Sequence, residues 1–348
     1  MKIDEALKKI KPIDERAKNQ CITRWNSIAK PLHSLGKLED GIAQIAGITG
    51  NHQVCIDKKA LVIMCADNGV VAEGVTQVGS EVTALVSENF LDMNSCVCIM
   101  AKRAGVDVYP IDVGIQVDTK VPKKKVSYGT KNMLHEPAMT REQAIQIIEA
   151  GIDTVIELKE KGYQIIATGE MGIGNTTTSS AVASVLLEVP VEKVTGRGAG
   201  LSNEGINRKI EVIKQSIEKH HPIIEDLIDV ISKVGGYDIA GMVGLYIGGA
   251  VAHVPIVMDG FISTVAALIA TRFNPQISGY LLQSHVSKEK AGKMILDALG
   301  VEPYITCDMC LGEGTGAVSL FPLLDMGLAV YSSMSTFEQI DMDAYIPL

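Results

Sequence analysis

Tyr163-Gln164-Ile165-Ile166-Ala167-Thr168 runs without a break into Gly169-Glu170-Met171-Gly172-Ile173-Gly174-Asn175-Thr176-Thr177-Thr178. A short apolar run, then glycines, then hydroxyl side chains before a second apolar stretch reads as strand, tight loop and helix. The apolar residues do not alternate with polar ones, so the strand is buried on both faces, as in a parallel sheet covered by helices. The same grammar recurs along the chain. Strands are predicted over residues 61–66, 106–111, 254–259 and 279–282. Between them lie helical patterns over 80–104, 141–161, 176–187, 204–220, 238–252, 262–271 and 288–299. Strand–helix alternation of this kind gives an α/β fold with a parallel sheet flanked by helices. Ligands of such sheets bind beyond the carboxyl ends of the strands, where Asp67, Glu170, Asp259 and Ser284-His285 fall.

The two ends of the chain differ from its middle. Residues 1–60 are lysine-rich and amphipathic with no strong strand, and the segment after Gly316 is helical in tendency. The expected organisation is an N-terminal helical segment, 1–60, packing with a C-terminal one, 317–348, as a small domain. A large α/β domain spans 61–316.

Composition narrows the chemistry. The 348 residues carry a formal net charge of -9, which disfavours nucleic acid as a partner because phosphate neutralisation needs basic patches. The one basic cluster, over residues 120–125, holds four lysines and a proline and reads as a solvated loop. The N-terminus is charged and lacks the apolar core of a signal peptide, so the seven cysteines are expected to be reduced thiols of a cytoplasmic protein. Cys307-Asp308-Met309-Cys310 has metal-ligand spacing but no second CxxC pair to complete a site, so no metal is expected. Residues 239–258 contain no charged side chain. Gly241, Gly244, Gly248, Gly249 and Pro255 punctuate that run, which favours a buried helix and strand over a membrane span.

Two glutamates are framed by glycine: Glu170 above, and Glu313 in Leu311-Gly312-Glu313-Gly314-Thr315-Gly316-Ala317. Glycine lets backbone approach a ligand and adopt positive φ, a setting suited to a carboxylate facing something small. Free amides at a helix start, with the hydroxyls of residues 176–180, favour an anionic group. An ordinary N-cap is the bland alternative, but three glycines and five consecutive hydroxyl side chains exceed what a cap needs, so phosphate is favoured. Gly196-Arg197-Gly198-Ala199-Gly200-Leu201 is a second glycine-rich loop before a helix. Neither loop carries the lysine-serine pair of a P-loop, and no GxGxxG follows the first strand. No GxSxG elbow marks an α/β hydrolase. Strand-end Asp67 and Asp259 suit ribose hydroxyls or simple capping equally. Carboxylates and anion loops without a metal motif or cofactor fingerprint fit a transferase acting on a phosphorylated sugar. A glutamate among apolar neighbours such as Leu311 has its pKa raised, as a base near neutrality needs.

Taken together these segments resemble the nicotinate-nucleotide:dimethylbenzimidazole phosphoribosyltransferase family, which activates the lower-ligand base of cobamides. The resemblance rests on Ala66-Asp67-Asn68-Gly69-Val70-Val71 with Glu81-Val82-Thr83, on residues 169–178 and 196–201, and on Met258-Asp259-Gly260-Phe261. It extends to Ser284-His285 with Ser287, to residues 311–317 and to Ser335-Thr336-Phe337. It implies a Rossmann-like sheet, a small helical domain built from both termini, and a homodimer with its active site near the subunit boundary. The implied substrates are nicotinate mononucleotide and a free aromatic base, with no cofactor. It implies Glu313 as the general base and Glu170 near the ribose. Phosphate and ribose fall to Gly172, Gly174, Asn175, Thr176, Gly198, Gly200, Lys209, Asp259 and Ser287, and the base pocket to Ala72, Ser80, Met171 and Leu311. Two departures stand out: Asn68 where the family often has histidine, and Val78-Gly79-Ser80 before Glu81 where it commonly has Tyr-Pro-Gln. The identity of the base, benzimidazole, purine or phenol, is therefore open. The alternatives are a subunit of a heteromeric enzyme activating phenolic bases, formed with a paralogue, a binding or regulatory paralogue, or a phosphorylase using inorganic phosphate.

Overall fold

A computed structural model of the chain describes residues 1–345. Five strands form one parallel sheet: β1 (Lys59–Ala66), β2 (Val106–Gly114), β3 (Ile165–Met171), β4 (Ile256–Met258) and β5 (Leu281–Gln283). Their order across the sheet is β2-β1-β3-β4-β5. The chain reverses its direction of travel between β1 and β3, and at such a switch point the two following loops part and leave a crevice. β1 pairs with β3 in register, Met64 opposite Glu170 and Cys65 opposite Met171, so Glu170 stands at the rim of that crevice.

The side chains of β1 alternate between two cores, as strand geometry demands. Ala60, Val62, Met64 and Ala66 enter the cluster formed with helices Arg141–Glu160 and Tyr237–Ala252. Leu61, Ile63 and Cys65 face the cluster that holds Trp25, Ile42, Phe321 and Leu324. The helices Glu15–Ser27, Lys37–Thr49 and Thr315–Ser333 thus cover one face of the sheet together. An antiparallel bridge joins Ile28 to Thr336, and the rings of Trp25 and Tyr331 lie 5.0 Å apart. The first helix, Ile3–Lys9, packs instead on the opposite face.

The uncharged run is a buried helix, Tyr237–Ala252, followed by β4. Its glycines set the spacing to the neighbouring helix: a Cβ on Gly244 would strike the carbonyl of Ile148, and one on Gly151 the carbonyl of Gly241. Among the described residues one helix, Thr315–Ser333, is long and apolar enough to cross a membrane; half of its most apolar window is buried within the fold.

The helical pattern over 80–104 is two helices, Glu81–Leu91 and Cys96–Ala104. Met93 takes φ +55, and the Ser95 hydroxyl accepts the Cys98 N–H as an N-cap. Such a cap competes with continuation of the helix. The expected helix over 288–299 starts later, at Gly292.

Candidate active site

The loop after β3 places a helix start in the crevice. Gly174, at φ +92, is the N-cap residue of Asn175–Leu187, and no side chain caps that helix. Of its first-turn amides, those of Asn175, Thr177 and Thr178 donate to the Gly172 and Gly174 carbonyls, and the Thr176 N–H is the one left for an anion. Lys209, 1% exposed, reaches in from helix Asn203–His220 and donates to the Thr176 hydroxyl over 2.7 Å. Burial pulls its ammonium down to about 8, which marks a cation short of a partner. Gly198, at φ +53, brings the second glycine loop against the same two groups; a Cβ there would lie 3.0 Å from the Thr176 hydroxyl and 3.6 Å from Lys209 Nζ. A helix N-terminus, a buried lysine and a glycine loop converge on one point suited to phosphate.

Glu170, the penultimate residue of β3, is buried beside this point. Asn175 Nδ2 donates to it and, over 3.0 Å, to Asp238 Oδ2. Burial first, then repulsion from Asp238 and Asp259, pushes the Glu170 carboxyl up to about 8. Burial likewise raises Asp238 to about 6. Among the described residues no lysine or arginine is ion-paired with any of these three acids; the neutral-leaning His285 is 3.9 Å from Asp259. Buried carboxylates without a cation favour a ligand that carries positive charge.

Glu313 occupies a turn with three consecutive positive φ values: Gly312 +91, Glu313 +61 and Gly314 +93. The glutamate itself adopts a conformation that costs an L-residue about 1–2 kcal/mol. Its Oε2 accepts the Val97 N–H over 3.3 Å, so the carboxylate faces the start of helix Cys96–Ala104. Burial raises its pKa above the usual carboxylate range, with the Val97 bond opposing. The turn lies directly on the strand end: a Cβ on Gly169 would overlap the Glu313 carbonyl, and one on Gly312 would overlap Glu170 Oε1.

A cavity of about 270 Å³ joins these groups. Of the residues named from the sequence, Glu170, Met171, Gly172, Gly174, Asn175, Thr176, Gly198, Lys209, Asp259, Ser287, Leu311 and Glu313 line it. Gly200 does not; its carbonyl accepts the Gln77 side-chain amide at the edge of the loop. Ala72 is exposed in the 3₁₀ turn Gly69–Glu73, and Ser80 begins helix Glu81–Leu91, so neither reaches the cavity. Val75, Thr76, Gln77, Val78 and Val86 line it in their place. Sequence reading also passed over Asp238, whose signal was a lone acid at the head of an uncharged run. It passed over Val97 as well, whose signal was Ser95 as an N-cap inside an apparent helix.

The sequence model of a phosphoribosyltransferase family matches residues 10–341. The chain belongs to this family. As a phosphoribosyltransferase it is 46% identical to the nicotinate-nucleotide--dimethylbenzimidazole phosphoribosyltransferase of Acetivibrio thermocellus, over 99% of both chains. The protein of the same name from Clostridium acetobutylicum is 44% identical over the full length of both. Among solved structures, CobT from Thermus thermophilus superposes with a TM-score of 0.90 at 35% identity, covering 95% of this chain and all of that one. The fold is therefore that of the CobT phosphoribosyltransferases, and this chain is an enzyme of the pentosyltransferase class.

Proposed function

We propose that this phosphoribosyltransferase takes nicotinate mononucleotide and a free aromatic base of benzimidazole type, and releases nicotinate and an α-riboside 5'-phosphate for cobamide nucleotide-loop assembly in the cytoplasm. One observation carries the reading. A single cavity holds a phosphate cradle (Gly174, Thr176, Gly198, Lys209), a buried acid cluster, and a separate glutamate on a left-handed turn. The relatives' names agree with it.

The chemistry follows from this arrangement. The 5'-phosphate sits on the helix start and Lys209, which gains the partner it lacks. The nucleotide's pyridinium nitrogen, and the positive charge that grows on ribose as the glycosidic bond breaks, lie by Glu170 and Asp238. The attacking ring nitrogen forms its bond to C1' from the face opposite nicotinate, which inverts the anomeric centre. The bonding pair of the broken C–N bond returns to the pyridinium ring, so nicotinate departs with a neutral ring nitrogen and needs no acid. Glu313 takes the proton of the incoming base. The apolar lining, Val75, Val78, Val86, Met171 and Leu311, gives an aromatic ring contact with few polar anchors. More than one base class, phenols included, is therefore expected to turn over.

Leu85 and Ile99, 68% and 63% exposed on adjoining helices, support a homodimer over a monomer; a heterodimer with a paralogue is the alternative, and mass measurement in solution decides. The function is tested by incubating the purified chain with nicotinate mononucleotide and dimethylbenzimidazole and identifying products by mass and anomeric configuration. Nicotinate and the α-riboside phosphate in equal amounts are expected. A ribosyl bisphosphate formed only with inorganic phosphate would show a phosphorylase instead, and no turnover a binding subunit.

A further inference from the structure

We infer that Asp259 is a positioning residue for Glu313: its carboxylate holds the left-handed turn that aims the proton acceptor, and it does not serve as a ribose or nicotinate ligand. The inference rests on the reading of Glu313 as the base.

Asp259 directly follows β4 and is 2% exposed. Its Oδ2 accepts the Gly314 N–H over 3.1 Å, and its Oδ1 accepts the N–H groups of Gly316 at 2.8 Å and Ala317 at 3.2 Å. All three donors lie within four residues after Glu313. Helix Thr315–Ser333 begins with Gly314 as its N-cap residue and has no capping side chain of its own, so a strand-end acid supplies the cap from elsewhere in the chain. An ionised carboxylate offers about four acceptor positions. With three taken by backbone amides, little remains for ribose hydroxyls.

The turn needs such a hold. Glu313 is a non-glycine residue between two glycines in the same left-handed region, and conformations of this kind persist only where the surroundings over-determine them. Gly169 supplies the floor under the Glu313 carbonyl, and the ring of His285 beside Gly316 leaves no room for a Cβ. Within the turn the Thr315 N–H and hydroxyl both donate to the Gly312 carbonyl; Asp259 binds its far side from another element, through hydrogen bonds rather than sterics. Releasing it lets Glu313 swing away from the Val97 amide and from the attacking base, and a displacement on the order of 1 Å costs about a hundredfold in rate.

The test is a double-mutant cycle on the full chain with D259N, E313Q and the pair. Nicotinate mononucleotide affinity is read by calorimetry beside kcat and KM. The amide in D259N keeps the shape but turns an N–H toward one of the turn's own donors. If Asp259 acts through Glu313, D259N lowers kcat on the order of a hundredfold, leaves nucleotide affinity and KM within about threefold of wild type, and costs nothing further once E313Q is present. Losses that multiply in the double variant, or a raised KM with unchanged kcat, would make Asp259 a substrate ligand and overturn the inference with Glu313 left as base. A wild-type rate in E313Q alone would remove both. Should D259N fail to fold, D259S, which removes the charge without adding an N–H, is read by the same criteria.

Discussion

Two glycine-framed glutamates look interchangeable in the sequence, and the structure gives them opposite settings. Glu170 belongs to a regular strand, paired in register with β1 and buried among Asp238, Asp259 and Asn175. Glu313 sits on a left-handed turn, half-buried, with one backbone amide on its carboxylate. The glycines differ in purpose accordingly. Around Glu170 they make space, since Gly169 and Gly172 abut the Glu313 carbonyl and the Asp238 carboxylate. Around Glu313 they make conformation, Gly312 and Gly314 both taking positive φ. A carboxylate fixed in a sheet among other acids is suited to holding a cation. One carried on a turn beside the cavity is suited to exchanging a proton.

The sharpest way to break this division is Glu313→Gln. It is expected to leave the fold intact and lower kcat on the order of a hundredfold or more; a near-wild-type rate in steady-state assay would return Glu313 to a structural role. Next in size is Lys209→Met, which deletes the buried cation from the phosphate cradle. It should raise KM for nicotinate mononucleotide by about tenfold to a hundredfold and narrow the gap between nucleotide and riboside substrates. Equal use of riboside and nucleotide by the wild type would mean that these loops only cap and turn.

Glu170→Gln probes the acid cluster through stability. The folded carboxyl titrates at about 8 against an ordinary 4.5, so between those values the folded state binds more protons than the unfolded one. Stability contributed by this group is full below about pH 4.5 and declines as pH rises toward 8. The amide variant lacks that decline. Thermal melts should show it more stable than wild type by several degrees above pH 8 and little different near pH 5; a variant less stable at both pH values would mean that the cluster is already neutralised. The smallest effect is expected at Ala72 and Ser80. Both lie off the cavity, so Ala72→Ser and Ser80→Ala should keep kcat/KM for each base within about twofold, the scale of surface changes. A switch of base preference in competition assays would place them in the pocket after all.

Much of the scaffold was legible because buried strands and their following glycines leave strong local marks. Residues 163–178 showed strand, loop and helix start, and Asp259 fell at a strand end as expected. What the sequence hid depends on long-range contact. Val97 and Glu313 are 216 positions apart, and their meeting turns on the break at Ser95, which helical periodicity alone runs straight through. Asp238 and Asn175 meet across 63 residues. Ala72 and Ser80 were assigned to the pocket from the family resemblance. The 3₁₀ turn at Gly69–Glu73 carries Ala72 outward, and residues 75–78 cross the cavity instead. Charge and hydropathy patterns report which elements form, while a loop's path is decided by what packs beneath it.

The division of labour between the two glutamates is tested most directly by the affinity for nicotinate mononucleotide, measured by calorimetry above about pH 8, where Glu170 is ionised, in Glu170→Gln and Glu313→Gln side by side. The account predicts weakened binding in Glu170→Gln, because the nucleotide's positively charged pyridinium ring loses its buried counter-charge, and wild-type affinity in Glu313→Gln. Unchanged affinity in the first and weakened affinity in the second would contradict it.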